Sequence, residues 1–281
     1  MSSGVSDRFV GEWLFERVSS LRRTHFVRAC SVVAFLGLWW AISLFYDPFF
    51  LPGPREVVTE VVYIVRYDAF ITHLAQTLTR VVIAFGIGLM LAVAIGIVMG
   101  VSKTGEQFFE TFVIVGLTMP AVAVTVIMLM VLGMNNTAAI ATIVFVITPL
   151  MTENIWEGTK NIDRDLVQMA QVFNPSWPAV LRSVVLPQLV PYVLAASRFG
   201  LGAAWKIVVI AEFFGLGDGI GYKINESFEL FSLSGVLAWT LSFVILMTII
   251  EFGIIKQVEK RLTQWRGDEG SERIGVSLFQ T

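Results

Sequence analysis

The sequence predicts an all-α, polytopic membrane protein of about six transmembrane helices, and three observations carry that fold class. First, residues 29–46, 78–101, 110–133, 137–152, 189–214 and 234–255 are apolar runs nearly free of charge. About 20 helical residues cross a hydrocarbon core roughly 30 Å thick, so each run is a span; the fourth is short and extends through Glu153 to Trp156. Second, hydrophobic residues make up 56% of the 281-residue chain, and a soluble domain of that size would need an implausibly large dry core. Third, the cations are distributed unevenly between the segments that join the spans.

That third observation sets the orientation, because Lys and Arg near span ends are retained on the cytoplasmic side. Arg8, Arg17, Arg22, Arg23 and Arg28 precede the first span, and Lys103 lies between the second and third. Lys160, Arg164 and Arg182 fall in a polar segment between the fourth and fifth, and Lys256, Lys260, Arg261, Arg266 and Arg273 follow the last. The opposite set is Arg55, Arg66, Arg80 and Lys223. Both termini and the polar segment Glu153–Pro187 are therefore expected in the cytoplasm, as an even number of spans requires.

The chain divides into residues 1–28, a transmembrane unit over 29–256 and a polar tail over 257–281. In residues 1–24, Phe9, Val10, Trp13, Leu14, Val18 and Leu21 recur at intervals of three and four, which marks an amphipathic helix lying on the inner membrane surface. It serves as an interfacial anchor or a contact for a cytoplasmic partner. No short apolar core with a small-residue cleavage site is present, so no signal peptide is expected. The lone Cys30 excludes an internal disulfide, and His25 and His73 are expected on opposite sides of the membrane, which leaves no histidine metal or catalytic site.

Helices in lipid associate by close packing through small residues. The second span carries Ala84, Gly88, Ala92, Gly96 and Gly100 at every fourth position, and the fifth repeats the pattern with Ala196, Gly200 and Ala204. Both stripes are expected to be structural and to mark helices in the middle of the bundle. The fifth span also holds charge, which is costly in a bilayer and often functional. At about 1.5 Å per residue, Arg198 lies roughly 14 Å and Lys206 roughly 26 Å from Leu189, with Glu212 near the outer end. Arg198 reads best as snorkelling or pairing with the polar segment. Lys206 either snorkels outward, pairs with Glu212, or lines a pathway and attracts an anion.

The polar segment reads as helix, break, helix. Leu166 to Phe173 is amphipathic, Asn174-Pro175-Ser176-Trp177-Pro178 interrupts it, and Ala179 to Leu186 resumes until Pro187 stops it. Ser176 is the expected N-cap of the second piece. A compact pair of helices between two spans is a docking element, and it contains no nucleophile with a base and no phosphate-cradling loop. Beyond the fifth span, Gly215, Gly217, Gly219 and Gly221 predict a pliable loop, either a gate-like turn or an ordinary connection.

Over residues 50–262 the chain resembles the permease subunits of bacterial ATP-binding cassette importers, in particular the nitrate, sulfonate, taurine and hydroxymethylpyrimidine group. That family's loop carries Glu-Ala-Ala, three residues, Gly, and a later Leu-Pro. The matching stretch here is Gln168-Met169-Ala170, then Asn174, then Leu186-Pro187, preceded by Asp163-Arg164-Asp165-Leu166. Also similar are Leu51-Pro52-Gly53-Pro54-Arg55-Glu56-Val57, Thr77-Leu78-Thr79-Arg80, and Ala211-Glu212 followed by the glycine run to Tyr222. The acidic, small and glycine positions of the loop motif are replaced by Gln168, Met169 and Asn174.

The resemblance implies that this loop, about 157–188, docks in a groove of a cytoplasmic ATPase subunit through Gln168, Met169, Ala170, Asn174, Ser176, Leu186 and Pro187. It implies a periplasmic or lipid-anchored binding protein, a second permease copy, no nucleic acid and no cofactor on this chain, ATP being bound by the partner. Arg198, Lys206 and Glu212 are the expected pathway residues for a small, anionic solute. The competing classes are an ATP-independent secondary transporter or a channel. No internal repeat with broken helices supports the former, and the long docking segment has no purpose in the latter.

Overall fold

A computed structural model describes residues 26–27, 29–172, 176–250 and 253. The expected N-terminal amphipathic helix and the C-terminal tail lie outside the described residues, as does Asn174. Among the described residues the chain is helical, without strands. The helices are α1 (Ala29–Ser43), α2 (Pro54–Tyr67), α3 (Phe70–Val101), α4 (Lys103–Thr118), α5 (Ala121–Leu132) and α6 (Asn136–Lys160). They continue with α7 (Arg164–Val172), α8 (Trp177–Val180), a π-helical turn (Leu181–Val185), α9 (Leu186–Gly215), α10 (Ile220–Glu229) and α11 (Leu233–Ile250).

Among the described residues, four segments are long and apolar enough to cross a membrane: Phe70–Val101, Asn136–Lys160, Leu181–Gly215 and Leu233–Ile250. The expected span 110–133 is not one straight helix. α4 and α5 meet at a 102° bend, because Met119 is extended (ψ 128°) in front of Pro120, which N-caps α5. The proline ring disfavours a helical backbone in the residue before it, and a hydropathy window does not register direction. α1 is shorter than a straight crossing requires, and its apolar side chains are mostly exposed. The Trp39 indole N–H donates to the Pro52 carbonyl (3.1 Å), tying α1 to the start of α2.

α2 and α10 are amphipathic helices within the connections between the long spans. α2 buries Val57 and Ile64 while leaving Val58, Val62 and Tyr63 outside. Pro54 suits its first turn, where the missing N–H has no intrahelical partner.

The centre of the bundle is α6. The small-residue stripe of α3 lies against it: a Cβ added at Gly88 would meet Ile147, at Gly96 Ile155, and at Gly100 Thr159. From the other side, Gly200 of α9 lies against Met151 and Gly158 of α6 against Tyr192. Ala84, Ala92, Ala196, Ala204, Ile143, Ile147, Met151 and Ile155 are all fully buried. The structure thus bears out both stripes as helix contacts. Backbones approach closely where side chains are small, and the added dispersion contacts replace the hydrophobic drive that lipid does not supply.

Candidate functional site

At the α6–α7 end of the bundle, Asp163 sets the loop. Its carboxylate accepts from the backbone N–H groups of Asp165 (2.9 Å) and Leu166 (3.2 Å), capping α7. Its own N–H donates to the Gln188 side-chain carbonyl (2.8 Å), and the Gln188 amide donates to the Val184 carbonyl (3.1 Å). One glutamine therefore fastens the start of the loop to the start of α9. Gln168 and Met169 are exposed on α7, Met169 at 59%. Ser176 occupies the N-cap position of α8, where its carbonyl accepts from Ala179 (2.9 Å) and Val180 (3.2 Å).

Pro187 does not stop the helix, contrary to the sequence expectation. The chain stays helical from Trp177 through Leu186 and Pro187 to Gly215. The physical reason is the π turn: the Leu186 N–H bonds to the Leu181 carbonyl, five residues back. One extra residue in the turn accommodates a ring that cannot donate and would crowd the carbonyl four residues before it. Leu186 is half exposed and Pro187 partly buried. Nearby, Lys160 closes an ion pair with Glu106 (2.6 Å) and lies 3.9 Å from the Trp156 ring centre, joining the ends of α6 and α4.

At the opposite end, residues far apart in sequence form a buried charge network. Arg80 of α3 is 2% exposed and Glu212 of α9 is fully buried. The Arg80 guanidinium donates to Glu212 Oε1 (2.6 Å), to Asn136 Oδ1 (2.8 Å), to the Asp218 carbonyl (3.2 Å) and to the Asp218 carboxylate. Glu212 Oε2 accepts from the Thr77 hydroxyl and the Gly221 N–H, both at 2.9 Å. Thr77 in turn accepts from the Ile220 N–H (2.9 Å). Every oxygen of the buried carboxylate is thus paired, the condition for keeping charge in a low-dielectric interior.

The glycine run that follows α9 is packed rather than pliable at its functional positions. Gly219 has φ +104°, and a Cβ there would meet the Glu212 carboxylate. A Cβ at Gly221 would strike the Val209 carbonyl. Glycine serves there for backbone approach and a left-handed turn. Glu212 is therefore engaged by Arg80, which removes the Lys206–Glu212 pairing from the sequence alternatives. Lys206 and Arg198 are both exposed on α9.

Arg80, Asn136, Asp218, Thr77 and His73 were not among the expected site residues. Thr77, Arg80 and Asp218 lie in the motif stretches Thr77–Arg80 and Ala211–Tyr222, and Arg80 is a cation inside a span, whereas no local signal marks Asn136 or His73. His73, expected to be isolated, accepts from the Gly219 N–H at Nδ1 (3.1 Å) and stacks on Tyr222 at 6.1 Å. Beside it, Lys223 pairs with Asp68 (2.9 Å) and Glu226. Burial, the largest influence, pulls the Lys223 pKa down, but the Glu226 and Asp68 carboxylates outweigh it and leave it above its usual value. No group of three or more His, Cys, Asp or Glu able to hold a metal occurs among the described residues.

Long packed spans, a helical loop at one end and a sealed charge network at the other define a multi-pass membrane protein with the architecture of a permease. A family model described as "Binding-protein-dependent transport system inner membrane component" matches residues 84–264, and the chain belongs to that family. It is 27% identical over 245 residues to the taurine transport system permease protein TauC of Escherichia coli (strain K12), covering 85% of this chain and 89% of that one. It is 31% identical over 244 residues to the nitrate import permease protein NrtB of Synechococcus elongatus, covering 83% and 85%. The fold also matches a chain from the crystal structure of an amino acid ABC transporter with histidines, at a TM-score of 0.55 and 17% identity, covering 71% of this chain and 97% of that one.

Proposed function

We propose that this chain forms the translocation pathway of an ATP-driven importer for a small, anionic solute. In this reading a periplasmic or lipid-anchored binding protein delivers the solute. Two permease copies, taken as identical, enclose the path in the inner membrane, and cytoplasmic ATP-binding cassette subunits supply the hydrolysis. The chain itself contributes no catalytic residue and holds no cofactor. Both termini and the α7–α8 loop face the cytoplasm, from the bias of Lys and Arg, and the Arg80 network faces outward.

The observation that carries the reading is the unbroken helical line from the exposed α7–α8 loop into α9. Gln168 and Met169, exposed on α7, present a mixed polar and apolar surface to an ATPase groove, and Ala170, Asn174 and Ser176 belong to the same docking motif. When the ATPase dimer closes, α8 moves. Because α8, the π turn and α9 form one continuous helix, the displacement passes Leu186 and Pro187 along the span that carries Arg198, Lys206 and Glu212. Helices transmit such a push because their packed contacts resist continuous deformation.

The anionic class rests on Lys206, a cation on an exposed face of a span, where charge is costly unless it meets water or a counter-ion. Taurine and nitrate, named for two relatives, each carry an anionic group. The test is to purify the tagged full-length chain gently and reconstitute it. An ATP-binding cassette ATPase that co-purifies, with hydrolysis stimulated by a binding protein, supports the reading. Uptake into liposomes by the chain alone without ATP overturns it in favour of a secondary transporter or channel.

A further inference from the structure

We infer that His73 is a positioning residue: as the neutral Nε2–H tautomer it holds the Gly219 turn, which follows α9, against the first turn of α3, and protonation at Nδ1 releases that turn.

The geometry is specific. His73 sits in the first turn of α3, directed there by Ala69, whose left-handed backbone (φ 48°) joins α2 to α3. Its Nδ1 accepts the Gly219 N–H at 3.1 Å. An acceptor nitrogen must be unprotonated, so the ring proton of neutral His73 is on Nε2. Gly219 is the residue at φ +104° whose neighbours Asp218, Ile220 and Gly221 all touch the Arg80, Thr77 and Glu212 network. Adding a proton at Nδ1 sets two donors face to face and breaks this contact, with no acceptor offered in exchange by Gly219.

Every neighbouring element contributes to that equilibrium. Asp68 ends α2, Asp218 lies in the turn, Lys223 and Glu226 come from α10, and all four charges act on the ring. Tyr222 of α10 stacks on the ring at 6.1 Å and Trp239 of α11 meets it edge-on at 6.0 Å. His73 is only partly buried, so protons reach it, and imidazole is the side chain whose ordinary pKa falls within the working range of pH. The consequence is that acidification loosens the end of α9 without touching Arg80 or Glu212 directly. None of this depends on the identity of the transported solute.

The experiment uses the full-length chain in nanodiscs with ¹⁵N-labelled histidine. The chain has two histidines, and His25→Gln assigns the remaining resonances to His73. The expected result is an unprotonated Nδ1 and a protonated Nε2 at pH 8. Hydrogen exchange of residues 216–223, corrected for intrinsic pH effects, should speed up about fivefold on titration to pH 5, roughly the size of one hydrogen bond. His73→Asn, whose amide oxygen accepts without titrating, should keep the protection at both pH values, and His73→Phe should lose it at both. A proton on Nδ1 in the neutral ring, or the same pH-dependent loss in His73→Asn, overturns the inference. If His73→Phe fails to fold, the Asn variant and the tautomer still decide.

Discussion

Arg80→Met is the most informative substitution, because it removes the cation from a carboxylate that has no access to water. Met roughly fills the space of the arginine stem, so packing is largely kept. The variant strands Glu212, fully buried, with only the Thr77 and Gly221 donors. Breaking one side of a buried ion pair typically costs about 3–5 kcal/mol. The carboxyl escapes by taking a proton. For an ordinary carboxylate pKa that costs about 3.7 kcal/mol at pH 7, at roughly 1.36 kcal/mol per pH unit.

The charge penalty is therefore capped near 4 kcal/mol at pH 7 and falls to about 1 kcal/mol at pH 5. Glu212→Gln should cost less, since the amide still accepts from Thr77 and Gly221, and the double variant should recover at least about 2 kcal/mol relative to the sum. Reversible unfolding by sodium dodecyl sulfate in mixed micelles, repeated from pH 5 to 8, measures all three. A penalty that does not depend on pH, or additivity of the two substitutions, would refute the claim that the carboxylate is ionised and sealed by Arg80.

Other substitutions separate structural from pathway roles. Gly221→Ala, whose Cβ strikes the Val209 carbonyl, should lower stability by about 1–3 kcal/mol in thermal unfolding, whereas Gly86→Ala, with open space around it, should be neutral or gain up to about 1 kcal/mol. Lys206→Met should cut uptake of the anion at least severalfold while hydrolysis stimulated by the binding protein persists; unchanged uptake would remove Lys206 from the pathway. Because the Lys223 pKa is raised, its pairing with Asp68 and Glu226 contributes stability in full below about pH 10.5. That contribution is lost as pH rises through the folded-state value. A melting series from pH 9 to 12 should therefore fall less steeply in Lys223→Met than in the parent chain.

The membrane class, the long spans and the faces on which α3 and α9 pack were all legible in the amino-acid order. Hydropathy and four-residue spacing are local properties, and lipid leaves small residues as the main record of contact. The sequence also located the α7–α8 loop and its family motif, and it marked Lys206 and Glu212 by the cost of charge in a span. That Glu212 belongs to Arg80, 132 residues away, rather than to Lys206 on its own helix, emerged from the folded chain. So did the packing of the glycines at 219 and 221, the π turn that carries Pro187 inside one long helix, and the 102° bend at Pro120 in the third hydrophobic run. Each of these depends on which surfaces meet and in what direction a helix leaves a break, and composition or periodicity along one chain carries no record of either.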